Sequence, residues 1–150
     1  MSIENFYKMC LYGQLEEVKQ FYNHNPDIIY GNIMETAFMN ACCSGELLVA
    51  NWILQMKPEL DIHFDNDILF EKVCSWHQYK SAKFILALTD RNNSYHYYKY
   101  YKIAYLDDIV HLLKEIKSYI PEFDESYDVV VEKEKNDILE IYRRNNKQLC

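Results

Sequence analysis

The chain has 150 residues, enough for one ordinary domain that would bury about 68–70% of its unfolded surface if compact. Apolar residues make up 49% and charged residues 26%, with three Gly and three Pro, a globular composition that leaves few places for long irregular loops and favours helices. A net charge of −7 and a pI near 5.2 repel nucleic acid and anionic lipid, no run approaches the roughly 18 apolar residues of a membrane span, and MSIENFYKMC lacks a signal-peptide layout, so a cytosolic protein with a basic partner is expected.

Phe6 opens the first of three segments that fall into register at a constant spacing of 32. FYKMCLYGQLEEVKQFY begins at Phe6, FMNACCSGELLVANWIL at Phe38 and FEKVCSWHQYKSAKFIL at Phe70. Cys10, Cys42 and Cys74 align, as do Gly13, Gly45 and His77, then Leu15, Leu47 and Tyr79, then Val18, Ala50 and Ala82, then Phe21, Ile53 and Ile85, and Pro26 pairs with Pro58. The apolar spacing in each segment is helical on both sides of the Gly position, which breaks the run, so each unit is predicted to be a helical hairpin. In the second unit the helices are predicted over about 35–43 and 47–56, with Ser44 and Gly45 as the turn. Glycine permits positive φ there, and His77 tolerates it better than most residues.

The repeated Cys10, Cys42 and Cys74 are read as small core residues. Cys43 stands off the repeated position and is the best candidate for a reactive thiol. Five cysteines without a Cys-x-x-Cys pair make disulfides unexpected, with Cys150 as a candidate for oxidation between chains in vitro.

Further along, YYKYYKIAYLDDIVHLLKEI fits a fourth hairpin with Tyr97 at the Phe position, Tyr101 at the Cys position, Ala104 at the Gly position, and Ile109 and Leu112 on the second helix. A fifth, weaker copy is read in SYDVVVEKEKNDILEIYRR, with Val130, Ile138 and Ile141 in the corresponding places, as a polar cap. The fold class expected is all-α, a single domain over 1–150 forming an α-solenoid of stacked helix-turn-helix units at about 3–34, 35–66, 67–93 and 94–120, with a degenerate cap at 124–145.

The middle unit, ETAFMNACCSGELLVANWIL, resembles the ankyrin repeat, T-P-L-H-x-A-A-x-x-G-H-x-x-x-V-x-x-L-L. Thr36, Ala37 and Phe38 stand for Thr-Pro-Leu, Ala41 and Cys42 for Ala-Ala, Gly45 for the turn glycine, Ala50 for Val, and Ile53 and Leu54 for the Leu pair. The His after the glycine is replaced by Gln14, Glu46 and Gln78. With the chain's short tips and Tyr-, Asn-, Lys- and Ile-rich composition, the units look most like the divergent ankyrin repeats of large DNA viruses. Two-helix repeats of the tetratricopeptide kind, with a period of about 34, are the alternative.

The resemblance implies a non-enzymatic protein-binding module with a concave face, in the cytoplasm of an infected host cell. It places partner contacts on the turn side at Leu11, Tyr12, Cys43, Ser44, Ser75, Trp76, Lys102 and Ile103, and on the loop side at Ile33, Glu35, Phe64, Asp65 and Asp67. The acidic loop residues suit a basic protein partner, and a monomer is expected.

Other chemistry has weaker support. His63, His77, Cys74 and Cys43 are the only metal-ligand set and lack ligand spacing, so no metal or cofactor is expected. Pairing Cys43 with His77 for nucleophilic catalysis supplies no orienting third group. The tract SYHYYKYYKIAY interleaves aromatic and basic residues as single-stranded nucleic acid would require, and binding through residues 95–105 is the alternative function. Against it, Tyr97, Tyr101 and Tyr105 form an i, i+4, i+8 core stripe.

Overall fold

A computed structural model describes residues 2–28, 30 and 32–148, and among these the fold is all-α, with no strand. Cys150 lies outside the described residues. The chain divides into two compact units, Met1–Thr89 and Asp90–Cys150.

The first unit holds three helical hairpins: α1 (Ile3–Leu11) with α2 (Leu15–His24), α3 (Ile33–Cys43) with α4 (Leu47–Met56), and α5 (Phe64–Ser75) with α6 (Tyr79–Leu88). α3 packs on α1 and on α5, and α2 packs beside α4. The repeated residues make the core. Phe6, Phe38, Phe70, Cys10, Cys42, Cys74, Ala50, Ala82, Ile53 and Ile85 are all buried, because a 3.6-residue period turns these positions to one face of each helix.

Each hairpin closes with the same backbone device. Gly13 and Gly45 have φ of 70° and 76°, and His77 takes φ 57° in their place. The following residue folds back so that Gln14 N–H donates to the Met9 carbonyl at 2.9 Å, Glu46 N–H to Ala41 at 2.8 Å and Gln78 N–H to Val73 at 2.9 Å. This left-handed C-terminal turn satisfies carbonyls that the ending helix would leave bare. The residue after each turn then overlies the previous one: Glu46 lies on Gly13 and Gln78 on Gly45, where an added Cβ would sit 2.7 Å from Gln78 Oε1. A side chain at Gly45 is opposed both by backbone conformation and by space.

A buried side-chain hydrogen bond ties the second and third hairpins together. Ser81 Oγ, fully buried, donates to the Cys42 carbonyl at 2.6 Å. Ser81→Ala removes the donor but leaves that carbonyl its second donor, the Gly45 N–H at 3.1 Å. The expected loss is therefore near the net value of one buried hydrogen bond, about 1 kcal/mol in urea denaturation.

The second unit holds α7 (Ser94–Leu106), α8 (Val110–Ser118) and α9 (Ser126–Gln148). α7 and α8 form a fourth hairpin of the same kind, in a register four residues from that expected. The turn residue is Asp108, with φ 57°, and the Ile109 N–H donates to the Ala104 carbonyl at 2.9 Å. The buried Tyr97, Tyr100, Tyr101 and Ala104 accordingly correspond to Met34, Ala37, Phe38 and Ala41, one helical turn later than the expected alignment. Asp tolerates the left-handed region that the Cβ of Ala104 resists, so the turn forms one turn later and α7 is correspondingly longer. Ile109 caps α8 and is not inside it.

The fifth copy is likewise corrected: α9 is one uninterrupted helix of 23 residues, with Val131 buried and Val130, Ile138 and Ile141 exposed. Its sequence has no Gly or Pro to break the run and is rich in helix-favouring Glu, Lys and Arg. No helix among the described residues is long and apolar enough to cross a membrane.

Candidate functional site

In the first unit the ends of α1, α3 and α5 converge on one groove of about 660 Å³. Leu11 and Tyr12 come from the end of α1; Met39, Asn40, Cys43 and Ser44 from α3; Lys72 and Trp76 from α5; Glu46 and Gln78 from the residues that open α4 and α6. Tyr12, Ser44 and Trp76 each stand immediately before a left-handed turn residue, so the 32-residue repeat places them in equivalent positions. Tyr12 is 68% and Trp76 64% exposed. Both are large aromatics at positions the core does not use.

The Ser44 hydroxyl in the groove is engaged by its own helix. Ser44 Oγ donates back to the Asn40 carbonyl at 2.9 Å, and Ser75 Oγ, just outside, to the Lys72 carbonyl at 2.8 Å. Burial pushes the Cys43 thiol up to about 11, against the smaller opposing pull of the Lys72 ammonium. A thiol held protonated at neutral pH is a poor nucleophile and a poor soft-metal ligand. Glu46 and Lys72 leave one charge of each sign on a mainly apolar lining. This chemistry suits an apolar or aromatic side chain presented by a partner, with charge at its edges.

The expected contact residues fall into three places. Tyr12, Cys43, Ser44 and Trp76 line the groove together with Leu11, and Ser75 is exposed beside it. Ile33, Glu35, Phe64 and Asp65 lie at the opposite ends of α3 and α5, about 16 Å away along an 11-residue helix. Lys102 belongs to the second unit, where it is half-buried and paired with Glu134 at 2.9 Å. In the register of its own hairpin, Leu106 and the cap residue Asp107 are the equivalents of Cys43 and Ser44.

Asp67 is corrected outright. It is 2% exposed, and its carboxylate meets His63 Nδ1 at 2.5 Å. Asp65, Asn66 and Asp67 form one left-handed turn, with φ of 50°, 58° and 62°, that turns Asp67 inward before the right-handed helix begins. Asn and Asp are the residues best able to adopt it. Glu35 is half-buried, with Oε2 shielded from solvent and without a hydrogen-bond partner among the described residues. Of the three acidic loop residues, Asp65 alone is exposed.

Met39, Asn40, Lys72, Glu46 and Gln78 were not expected in the site. Helical spacing carries the signal for three of them: Met39, Asn40 and Lys72 precede Cys43, Ser44 and Trp76 by four residues and so share their faces.

The tyrosine tract is committed to packing in the second unit. Tyr97, Tyr100 and Tyr101 are buried, and Tyr98 stacks on Phe123 with ring centroids 5.3 Å apart. The Tyr101 hydroxyl donates to Asp128 and the Tyr105 hydroxyl to Glu132, so both secure α9. Burial chiefly, then the Asp128 carboxylate, pushes Tyr101 up, while the Glu132 hydrogen bond chiefly raises Tyr105 to about 12.

No protein-family model, curated protein or solved structure matches the chain.

Proposed function

We propose that this chain is a non-enzymatic protein-interaction module, a solenoid of ankyrin-like hairpins that grips its partner at the turn-side groove of the first unit. The observation that carries the reading is the pair of exposed aromatics, Tyr12 and Trp76, beside an apolar groove of about 660 Å³. Trp and Tyr dominate interface hot spots because each removes a large area from water at a small entropic loss. The repeated left-handed turns at 13, 45 and 77 support the ankyrin-like assignment, since they hold the groove-forming helix ends in equivalent settings. A preordered surface of this kind loses little conformational entropy on docking.

The partner is a host or viral protein met in the cytoplasm of an infected cell. Its contact segment carries an apolar or aromatic side chain, and the net charge of −7 favours a basic setting.

Affinity capture from host lysate, with wild type beside a Tyr12→Ala, Trp76→Ala variant of unchanged helical circular dichroism, tests the reading. Wild type retains a protein that the variant binds at least about 30-fold more weakly, the loss of about 2 kcal/mol expected of a hot-spot pair. In a Trp52→Phe background, the purified partner shields Trp76 fluorescence from acrylamide. Equal retention by both proteins, capture of RNA or DNA alone, or an unshielded Trp76 overturns the proposal.

A further inference from the structure

α7 and α9 run parallel, because Tyr101, Tyr105 and Asp108 meet Asp128, Glu132 and Lys135 in the same order along both helices. The pairing reaches Lys135, yet α9 continues to Gln148, about 20 Å further at 1.5 Å per residue. On this overhang Ile138, Leu139, Ile141 and Tyr142 are 50%, 41%, 57% and 64% exposed. At 100° per residue the four cover an arc of roughly 160°. That arc prolongs the face that carries buried Val131 and the α7 partner Lys135. The second half of α9 thus keeps the apolar seam of the first half after its covering helix has ended.

We infer that a second copy of this chain covers the seam, with the two overhangs lying antiparallel. Charge order selects this occupant and this direction. Asp137 precedes the apolar cluster, and Arg143, Arg144 and Lys147 follow it, while Glu140 lies within it and makes an exposed i, i+4 pair with Arg144 at 3.3 Å. Asp137 and Arg144 are seven residues apart and share one flank of the helix. An antiparallel pair sets Asp137 of each copy against Arg144 of the other, twice by two-fold symmetry, whereas a parallel pair opposes like charges. Four half-exposed side chains per copy remove roughly 800 Å² in total, below the roughly 1,200 Å² of a standard stable interface. The dimer is therefore weak and forms only at high protein concentration. It departs from the monomer expected from sequence and is independent of the groove in the first unit.

Sedimentation velocity of the whole chain from 5 to 500 µM, under reducing conditions, tests the inference. Wild type shifts from monomer to dimer across this range, and Ile138→Glu, Tyr142→Glu remains monomeric at every concentration with unchanged helical circular dichroism. Asp137→Arg weakens dimerisation at least about 5-fold, and mixing it with Arg144→Asp restores a heterodimer. Wild type that stays monomeric at 500 µM overturns the inference and leaves the seam to a different partner. A dimer that survives the double glutamate variant, or is indifferent to Asp137→Arg, overturns it as well.

Discussion

Raising the pH from 8 to 11 is expected to remove on the order of 5 kcal/mol of the first unit's stability. Cys10 and Cys42 are both wholly buried in its core. Burial pushes the Cys10 thiol from 9.0 to about 12 and drives Cys42 higher still, with a smaller contribution from neighbouring Cys43. Below pH 9 both thiols are protonated in the folded and the unfolded chain, and the stability they contribute is fully present. Above pH 9 the unfolded chain releases protons that the folded chain retains, so stability falls as the pH climbs toward about 12. Two such thiols give a limiting slope of about 3 kcal/mol per pH unit, against a total stability on the order of 5–15 kcal/mol for a domain. Stability from urea denaturation at pH 8, 9.5 and 10.5 should fall slowly over the first interval and approach this rate over the second, and Cys42→Ala should roughly halve the slope. In a Cys150→Ala background, thiolate absorbance appearing near pH 9 while the helical signal stays intact would show that these thiols are not held in a closed core.

A second, later loss belongs to the tyrosines. Burial raises Tyr97 and Tyr127 above 10.0, and burial with the Asp128 hydrogen bond raises Tyr101. The second unit therefore retains its alkaline stability until the pH passes 10, one unit above the onset set by the cysteines.

Three hairpins were legible in the sequence because glycine at 13 and 45 is a local, chemically specific mark, and the core residues around it recur at one spacing. The 47–56 helix agrees with α4, and the left-handed turn expected at His77 is present. The fourth hairpin was legible in kind but not in register. Its turn residue is Asp108, and Asp carries a weaker local signal for positive φ than Gly, whereas the tyrosines at 97, 101 and 105 fit a helix face in either of two alignments. The burial of Asp67 was not legible because it follows from three consecutive left-handed residues, a tertiary choice that no periodicity encodes. α9 was mistaken for a hairpin because apolar residues at 130, 138 and 141 suggest a repeat wherever two short helices or one long one would satisfy them. The groove was half legible. Repeat arithmetic finds Tyr12 and Trp76, but Glu46 and Gln78 enter only because each overlies the preceding turn.

Phe38→Ala is expected to destabilise the first unit by about 3–5 kcal/mol, the range for deleting a fully buried aromatic ring. Phe38 has no exposed surface, and α3, which carries it, is packed on α1, α4 and α5. Its ring centroid lies 6.4 Å from that of Phe84 on α6. The helices cannot simply close over the missing ring, because left-handed turns at Gly45 and His77 and the Ser81 bond to Cys42 fix α3 relative to the third hairpin. The cavity therefore persists and adds its own penalty to the lost transfer energy. Phe38→Leu fills most of the space and should lose no more than about 1.5 kcal/mol. Urea denaturation of both variants separates packing from mere hydrophobicity. A loss under about 1 kcal/mol for Phe38→Ala would mean that α3 is not held between α1 and α5. The groove would then fail with it, because the ends of those three helices carry Tyr12, Cys43 and Trp76.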